Sequence, residues 1–341
     1  MTVRSFSRLA AILLLSPLLP DVPAAHTQPT VAAQQPVTLR IATLAPRGSA
    51  WDRAFRAWSN TLRTQTGGRL ELQFFPGGSQ GDERDYIRKM RAGQLDGAAI
   101  TTTGLGQVVR PVLVLALPGL FSDYAVIDRV RETLDADFQA QFEAAGFRLL
   151  GWGDVGRARF FSRRPIQRPE DFRAVRPWAW REDVIFTEAL AVIGANGQRL
   201  GVNEVLPALQ TGRVDAFPAS AYAAVALQWF NHVTHVTQQS DSIIVGATIL
   251  KKERYDALPA DLRAALDETA RRAHGALARA IRQADDRAYQ TLVSRGLTPV
   301  DLTPHRAAWQ DVARQVRERL AGRLYERALL ARVEQLARAG S

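Results

Sequence analysis

The chain has 341 residues, carries a formal net charge of +10 and contains no cysteine. The absence of cysteine excludes disulfides, thiolate catalysis, zinc–thiolate sites and a lipidated cysteine anchor. Only Lys89, Lys251 and Lys252 are lysines among the 44 basic residues, so the remaining 41 are arginines, and they are dispersed among acids. Because no basic run alternates with aromatic residues, we expect no nucleic-acid partner.

The first 25 residues have the pattern of a secretory signal. Arg4 and Arg8 precede the apolar run LAAILLLSPLLP, and small residues follow in VPAAHT. The run is too short to span a bilayer as a mature helix, and no later segment has about 18 consecutive apolar residues. We therefore expect a signal peptide over 1–25, a flexible tether over 26–36, and a periplasmic mature protein that is not inserted in a membrane.

Residues 37–153 are predicted to form a first α/β lobe. The alternating pattern of Val37–Thr43 predicts a strand, and Ser49 is predicted to cap the helix that follows it. A later buried strand ends in the hydroxyls of Thr101 and Thr102. Ligands bind beyond the carboxyl ends of strands in open α/β sheets, but threonine also caps helices, so the sequence leaves both roles open.

The middle of this lobe contains a predicted glycine-rich turn and a predicted helix cap. The segment GGSQGD lacks the Lys-Ser/Thr of a phosphate-binding loop, which favours a plain turn before a helix that begins near Asp82. Ser122 is predicted to cap a long helix that ends at Ala145. The strand FRLLGWG follows, and the glycines over 151–156 predict a break in the chain.

The remaining residues predict a second lobe and a bridge between the two. Residues 154–241 alternate strand and helix again, with Asn203 as a predicted helix cap, and the apolar run over 242–258 predicts a strand that returns to the first lobe. Residues 259–295 contain no internal proline after Pro259, and about 35 helical residues extend about 50 Å, enough to span both lobes. A strand and helices over 296–341 are expected to pack on the lobes. The predicted fold class is α/β, a two-lobed clamshell with a long spanning helix.

Several blocks, in order, resemble a known family. ATLAPRGSAW, LALPGLFSD and RPEDFRAVR are three of them, and EVLPALQTGRVDA is the most specific because it is similar to the family pattern EvytALQtGvvDg. The family is that of the solute-binding proteins of TRAP (tripartite ATP-independent periplasmic) transporters, the DctP-like group. The resemblance implies a periplasmic-binding-protein clamshell that captures a small organic ligand in its cleft and delivers it to TRAP membrane subunits.

One position departs from the family pattern. Typical members carry a strand that resembles lkGlKiRvp, whose arginine pairs with a ligand carboxylate in two hydrogen bonds. When the chains are aligned on Asp171 and Phe172, that arginine falls on Trp178. We therefore expect a subgroup with tryptophan in place of the arginine and a preference for flat or apolar ligands. A slip of two residues, which keeps the same strand face, would instead place Arg176 in this role.

Side chains from both lobes are expected to line the cleft. Each aromatic residue alone is more often part of a core than of a ligand site, but several lie near strand ends or the lobe crossing. The predicted lining residues are Trp178, Trp180, Phe121, Trp152, Phe160, Tyr222 and Trp229, with Thr101, Thr102, Ser220 and Arg157 as polar groups. Arg157 is the predicted substitute anchor for a ligand carboxylate.

Catalytic and metal sites are not predicted. The sequence has no Gly-X-Ser-X-Gly motif, and His232 and His235 would lie on opposite faces of a strand without a carboxylate beside them. Asp285 and Asp286 are expected on a solvent-facing helix surface. We expect a binding protein without cofactor or metal. The alternatives are an exported two-lobed α/β enzyme and a binder of ordinary small carboxylates through Arg157 or Arg176.

Overall fold

The structure, a computed structural model, describes residues 36–240 and 242–339. The predicted signal peptide, and the tether up to residue 35, lie outside the described residues. The strands are β1 Val37–Thr43, β2 Leu70–Phe75, β3 Gly97–Thr101, β4 Phe147–Arg157, β5 Arg159–Ser162, β6 Trp178–Trp180, β7 Gln198–Leu200, β8 Ala216–Ala219, β9 His235–Thr237, β10 Ile243–Lys251 and β11 Thr298–Val300.

The helices alternate with these strands. They are α1 Ala50–Gln65, α2 Glu83–Arg91, α3 Thr102–Leu105, α4 Tyr124–Ala144, α5 Val184–Ile193, α6 Val202–Gln210, α7 Ala221–Ala226, α8 Lys252–Asp256, α9 Ala260–Ser294, α10 Arg306–Leu320 and α11 Arg327–Arg338. Short 3-10 helices cover Arg110–Ala116, Pro169–Ala174, Trp229–His232 and Thr303–His305. Within the described ranges, no helix is both long and apolar enough to cross a membrane.

Lobe I is built on a five-stranded sheet in the order β2-β1-β3-β10-β4. Strands β1, β2 and β3 run parallel, and β10 is inserted antiparallel between β3 and β4. Seven of the nine residues of β10 are buried, and they do not alternate with exposed residues, because helices cover both faces of this central strand. Because β1 and β3 are neighbouring parallel strands, their carboxyl ends lie together at one edge of the sheet.

Lobe II contains a four-stranded sheet in the order β11-β9-β5-β8 and the parallel pair β6-β7. Its core surrounds Phe161, Phe217 and Trp229. Strand β6 is short, and its two tryptophans project on the same side because side chains alternate along a strand.

The predicted break over 151–156 is not present. Strand β4 continues to Arg157 and passes through Ala158 directly into β5, so one extended segment joins the two sheets. Gly156 has a φ of +130°, and a Cβ there would lie 2.6 Å from Asp285 Cγ. The glycines therefore permit close packing against α9 rather than a turn.

Helix α9 has 35 residues and contacts β4 and α1 of lobe I and α7 of lobe II. Leu277 and Ile281 join the lobe I core, and Ala288 and Leu292 join the lobe II core. Asp285, expected to face solvent, is instead fully buried, and it accepts hydrogen bonds from the backbone N–H groups of Arg157 and Tyr222, both at 2.9 Å. Burial raises the pKa of this carboxyl.

Helix caps agree with the sequence in part. Ser49 caps α1, as predicted. Helix α4 is capped by Asp123 rather than Ser122, and α6 is capped at Gly201 rather than at Asn203. Both predicted caps were therefore wrong, by one residue for α4 and by two residues for α6. Several residue types that favour the cap position lie close together at each of these helix starts, and the sequence does not distinguish among them.

Candidate ligand-binding cleft

A cavity of about 610 Å³ lies between the lobes. Lobe I contributes the end of β1 and the residues after it, from Thr43 to Pro46, and the residues at the end of β3. Lobe II contributes β6, the end of β8 from Pro218 to Ser220, and Trp229. The volume is in the range that holds a small organic molecule.

Three tryptophans form one wall of the cavity. Trp178, Trp180 and Trp229, here called the tryptophan wall, all line it. The Trp178 ring packs edge-on against Trp229, with centroids 5.1 Å apart, and lies 6.0 Å from the Trp180 ring. Trp178 is only 5% exposed, and its Nε1 donates to the carbonyl of Leu200 at 3.0 Å. This residue is therefore part of the lobe II core and of the cavity wall at once.

A second set of rings lines the cavity near the C-terminal helices. Phe160, Phe172, Phe186 and Trp309 form this set, here called the Phe160 cluster. Phe160 stacks on Trp309 with centroids 5.5 Å apart and an angle of 24°, and it meets Phe172 edge-on at 5.0 Å. Of these four, the sequence pointed only to Phe160. The apolar stripe of α10 predicts a buried face for Trp309 but does not say which element it covers.

The threonines at the end of β3 cap the next helix and line the cavity. Thr101 caps α3, since its Oγ1 accepts from the Thr103 N–H at 3.2 Å, and it also lines the cavity beside the buried Thr102. Glu83 lies beneath them and accepts from the N–H groups of Thr101 and Gly104, both at 2.8 Å. Burial raises the pKa of Glu83 to about 8, although these donors favour its charged form.

Ser220 lines the cavity as predicted but is fully buried. Its Oγ accepts from the Ala223 N–H at 3.1 Å and so caps α7. The Ser220 hydroxyl therefore already accepts one hydrogen bond within the protein. A ligand could bind it only through its O–H donor or its second lone pair.

Three predicted aromatic residues lie elsewhere. Phe121 is buried in the lobe I core, and Trp152 donates from Nε1 to Asp135 at 2.7 Å. Tyr222 accepts from the Ala50 N–H at 2.6 Å. None of these three residues lines the cavity. Each belongs to packing that joins a helix to a strand or to the other lobe.

The two arginines considered for a ligand carboxylate also lie outside the cavity lining. The Arg157 guanidinium sits over the Tyr124 ring, 4.6 Å from its centroid, and donates to the Ser122 carbonyl. Arg176 is bound to Asp215, with Nε at 3.0 Å and Nη2 at 2.8 Å from one carboxylate oxygen. Both guanidinium groups are thus engaged by the protein itself.

Four acids line the cavity, and all four are held by protein groups. Asp154 pairs with Arg131 at 2.8 Å and with Arg282 at 2.7 Å. Asp183 caps α5, Glu182 pairs with an arginine of α2 at 3.2 Å, and Glu83 is bound as described. Among the described residues, Arg306 is the one arginine of the lining. In the same ranges, no group of three or more potential ligands is arranged to hold a metal ion.

Comparison with known proteins places the chain among binding proteins. The family model of DctP, described as bacterial extracellular solute-binding protein family 7, matches residues 41–323. The chain is 24% identical over 301 residues to the C4-dicarboxylate-binding periplasmic protein DctP of Rhodobacter capsulatus, which covers 86% of this chain and 89% of that protein.

Solved structures show the same fold. A TRAP periplasmic solute-binding protein from Ralstonia eutropha, with bound (S)-2-acetolactate, has a TM-score of 0.82 at 20% identity, over 89% of this chain and 99% of that one. Another, from Desulfovibrio salexigens with bound orotic acid, has a TM-score of 0.80 at 19% identity over the same shares. The predicted two-lobed α/β clamshell is confirmed. Since the family model spans most of the sequence, the chain belongs, as its motifs predicted, to the bacterial extracellular solute-binding proteins of family 7, the DctP family.

Proposed function

We propose that this protein is the extracytoplasmic solute-binding subunit of a TRAP-type secondary transporter. It captures a small organic ligand in the interlobe cavity and delivers it to the membrane subunits. Family membership supports solute binding, and the signal-like sequence over 1–25 supports a periplasmic location for the mature protein. The TRAP proteins of similar fold support the transporter type.

The ligand in this proposal is flat or apolar. The observation that carries it is the composition of the cavity, in which the tryptophan wall and the Phe160 cluster supply rings from lobe II and from α10. Burying apolar ligand surface contributes about 25 cal/mol per Å², and ring stacking adds about 0.5 to 1.5 kcal/mol. A small, strongly hydrated dicarboxylate would gain little from these rings and would lose its water.

The ligands of related proteins support an organic acid as the starting point for a search. The relative from Desulfovibrio salexigens is described with orotic acid, which is a flat ring with one carboxylate. In the motif alignment, Trp178 stands where typical members have the arginine that binds the carboxylate. An indole cannot form an ion pair with a carboxylate. At this position we therefore expect contact with the ring of such a ligand rather than with its carboxylate.

A binding screen tests the proposal. The mature protein is first analysed by mass spectrometry for small molecules released on denaturation. It is then screened by thermal shift and calorimetry against aromatic acids, aliphatic acids, sugar acids and C4-dicarboxylates, with product analysis in parallel. We expect a raised melting temperature with a flat or apolar compound and no turnover. Tight binding of a dicarboxylate or sugar acid, together with no binding of any aromatic or aliphatic compound, would contradict the ligand class.

A further inference from the structure

We propose that Arg306 is the anion anchor of the cavity and that the ligand is an aromatic or apolar monocarboxylate. In this arrangement, the ring of the ligand lies against the Phe160 cluster and its carboxylate pairs with the Arg306 guanidinium. The inference rests on the proposed function, because it names the chemical class of the captured solute and the residue that selects it.

The first support is the scarcity of positive charge at the cavity. The chain has 41 arginines, yet within the described ranges only Arg306 contributes a guanidinium to the lining. Arg157 and Arg176, the two candidates from the sequence, point elsewhere and are bound by protein groups. An anionic ligand in this cavity therefore has one arginine available to it.

The second support is that Arg306 is free to bind. It is exposed, and in the part of the chain that the structure describes its side chain makes no hydrogen bond, ion pair or ring contact. The acids of the lining do not compete for it, since Asp154, Asp183 and Glu182 are held by other groups. A ligand carboxylate would not have to displace an internal partner, and a guanidinium binds a carboxylate through two parallel hydrogen bonds.

The third support is the position of Arg306 beside a fixed ring. Arg306 is the first residue of α10, and Trp309 follows three residues later, so their side chains are neighbours on one helix face. Trp309 is held in place because its Nε1 donates to the Gln167 carbonyl at 2.9 Å and its ring stacks on Phe160. Gln310, one turn after Arg306, also lines the cavity. The Arg306 guanidinium and the Trp309 ring are therefore neighbours at the cavity.

This arrangement selects for one carboxylate rather than two. A second carboxylate of the same ligand would find no second guanidinium in the described lining, and a charge without an ionic partner beside the rings or the acids is costly. Dicarboxylates are therefore expected to bind more weakly than monocarboxylates of similar size. The amino end of α10 adds a small favourable potential for the anion, since no side chain caps it.

The test compares acids with their neutral isosteres. The mature wild-type protein and three variants are titrated by calorimetry with benzoate, phenylacetate, cinnamate, 2-naphthoate and indole-3-acetate, with the primary amide of each, and with succinate and phthalate. The variants are Arg306→Gln, Arg306→Lys and Arg314→Gln. Arg314 lies on the same helix but is exposed and pairs with Asp311 and Glu318, so its replacement is a matched control.

We expect at least one monocarboxylate to bind wild type at least tenfold more tightly than its amide. Arg306→Gln should abolish this difference, Arg306→Lys should restore part of it, and Arg314→Gln should retain it, with melting temperatures reported for all variants. Equal affinity of the acid for wild type and Arg306→Gln would overturn the inference while leaving solute capture intact. Tighter binding of succinate or phthalate than of every monocarboxylate would also overturn the inference while leaving solute capture intact. If no compound binds, and none is released from the purified protein, both the inference and the proposed function are wrong.

Discussion

The indole of Trp178 contacts the lobe II core on one side and the cavity on the other. From sequence, core packing and a ligand wall were competing interpretations of this residue. In the structure the same ring packs in the core and lines the cavity, so the two interpretations are compatible. We therefore expect a change at this position to alter both stability and binding, and a control has to separate the two effects.

Trp178→Ala should weaken binding of the native ligand at least tenfold, since it removes ring area from the wall. It should also lower the free energy of unfolding by about 3 to 5 kcal/mol, because the indole is buried. Trp58→Ala is the matched control: Trp58 is buried but does not line the cavity, so stability should fall while affinity is retained. Calorimetry and urea unfolding measure the two quantities, and an equal loss of affinity in both variants would contradict a ligand role for Trp178.

His274 should make stability depend on pH. It is buried, with Nδ1 2.8 Å from the Ala270 carbonyl and Nε2 2.9 Å from Thr248 Oγ1, and burial lowers its pKa to about 4. An unfolded histidine titrates near pH 6.5, so between about pH 6.5 and 4 the unfolded state binds more protons and stability falls as the pH falls. The full effect of this one group is about 3 kcal/mol, reached below pH 4.

An NMR titration of the imidazole tests this directly. The His274 ring should remain neutral down to about pH 4 in the folded protein. Urea unfolding at pH 7 and pH 4.5 should show a smaller loss of stability in His274→Gln than in wild type. A His274 midpoint close to that of an exposed histidine would mean that the ring is not desolvated.

Single residues were predictable from sequence only where the local pattern decides their position. Trp178 and Trp180 could be assigned to one strand face because side chains alternate. Arg157 and Arg176 could not be assigned, because their partners, the Tyr124 ring and Asp215, are distant in the chain and were not indicated by any spacing. Arg306 gave no signal at all, since it is one arginine among 41.

At the scale of elements, the amino end of α2 in lobe I meets β6 and α6 of lobe II. The Asp82 carboxylate accepts from the Trp180 Nε1 at 3.1 Å and from the Val202 N–H at 2.9 Å. A Cβ on Gly201 would lie 2.6 Å from this carboxylate. One acid therefore connects a tryptophan of the cavity wall to the other lobe, in a contact that depends on the absence of a side chain at position 201.

Gly201→Ala should weaken ligand binding several-fold by opposing this contact. The backbone of Gly201, with φ of −74° and ψ of 163°, accepts alanine without strain. The free energy of unfolding should therefore change little. Gly275→Ala is the control, because a Cβ there meets only the end of an arginine side chain at 3.6 Å. Stopped-flow measurement should show a faster dissociation rate in Gly201→Ala alone. Unchanged dissociation would mean that this contact does not stabilise the liganded form.

Elements were predicted well where hydrophobic period and proline or glycine positions agreed. Helix α9 was expected over 259–295 and is found at Ala260–Ser294. The link between the lobes was not predicted, because glycine is typical of both turns and close packing. The approach of His274 to Gly151 and of Asp285 to Gly156 distinguishes the two only in the folded chain. The burial of Asp285 was equally hidden, since its partners are backbone N–H groups, which leave no trace in side-chain sequence.

At the scale of the molecule, the segment β4–β5 and helix α9 both pass from one lobe to the other. Contacts such as Asp82 with Trp180 hold the lobes together across the cavity in this structure. We therefore expect an open form without ligand and a closed form with ligand, since two connected lobes bend more easily than either lobe deforms. Small-angle scattering should show a smaller radius of gyration at saturating ligand. An unchanged radius would contradict hinge closure.

The division of the whole chain into two lobes followed from its repeated strand–helix alternation, but the shape of the cavity did not. Nothing in the sequence after residue 296 indicated that α10 would face the interlobe space. Amphipathic stripes predict that a helix is covered, and the covering partner depends on contacts between distant segments. The Phe160 cluster therefore became visible only once the chain was folded.

The position of α10 has a consequence for the order in which the protein matures. Trp309 and Arg306 follow every strand of both sheets in the chain, so they are synthesised after the two lobes. Until they arrive, a nascent chain has its hinge and its tryptophan wall but lacks one side of the cavity. We therefore expect ligand capture to require α10, and a chain cut before Arg306 should bind its ligand weakly or not at all.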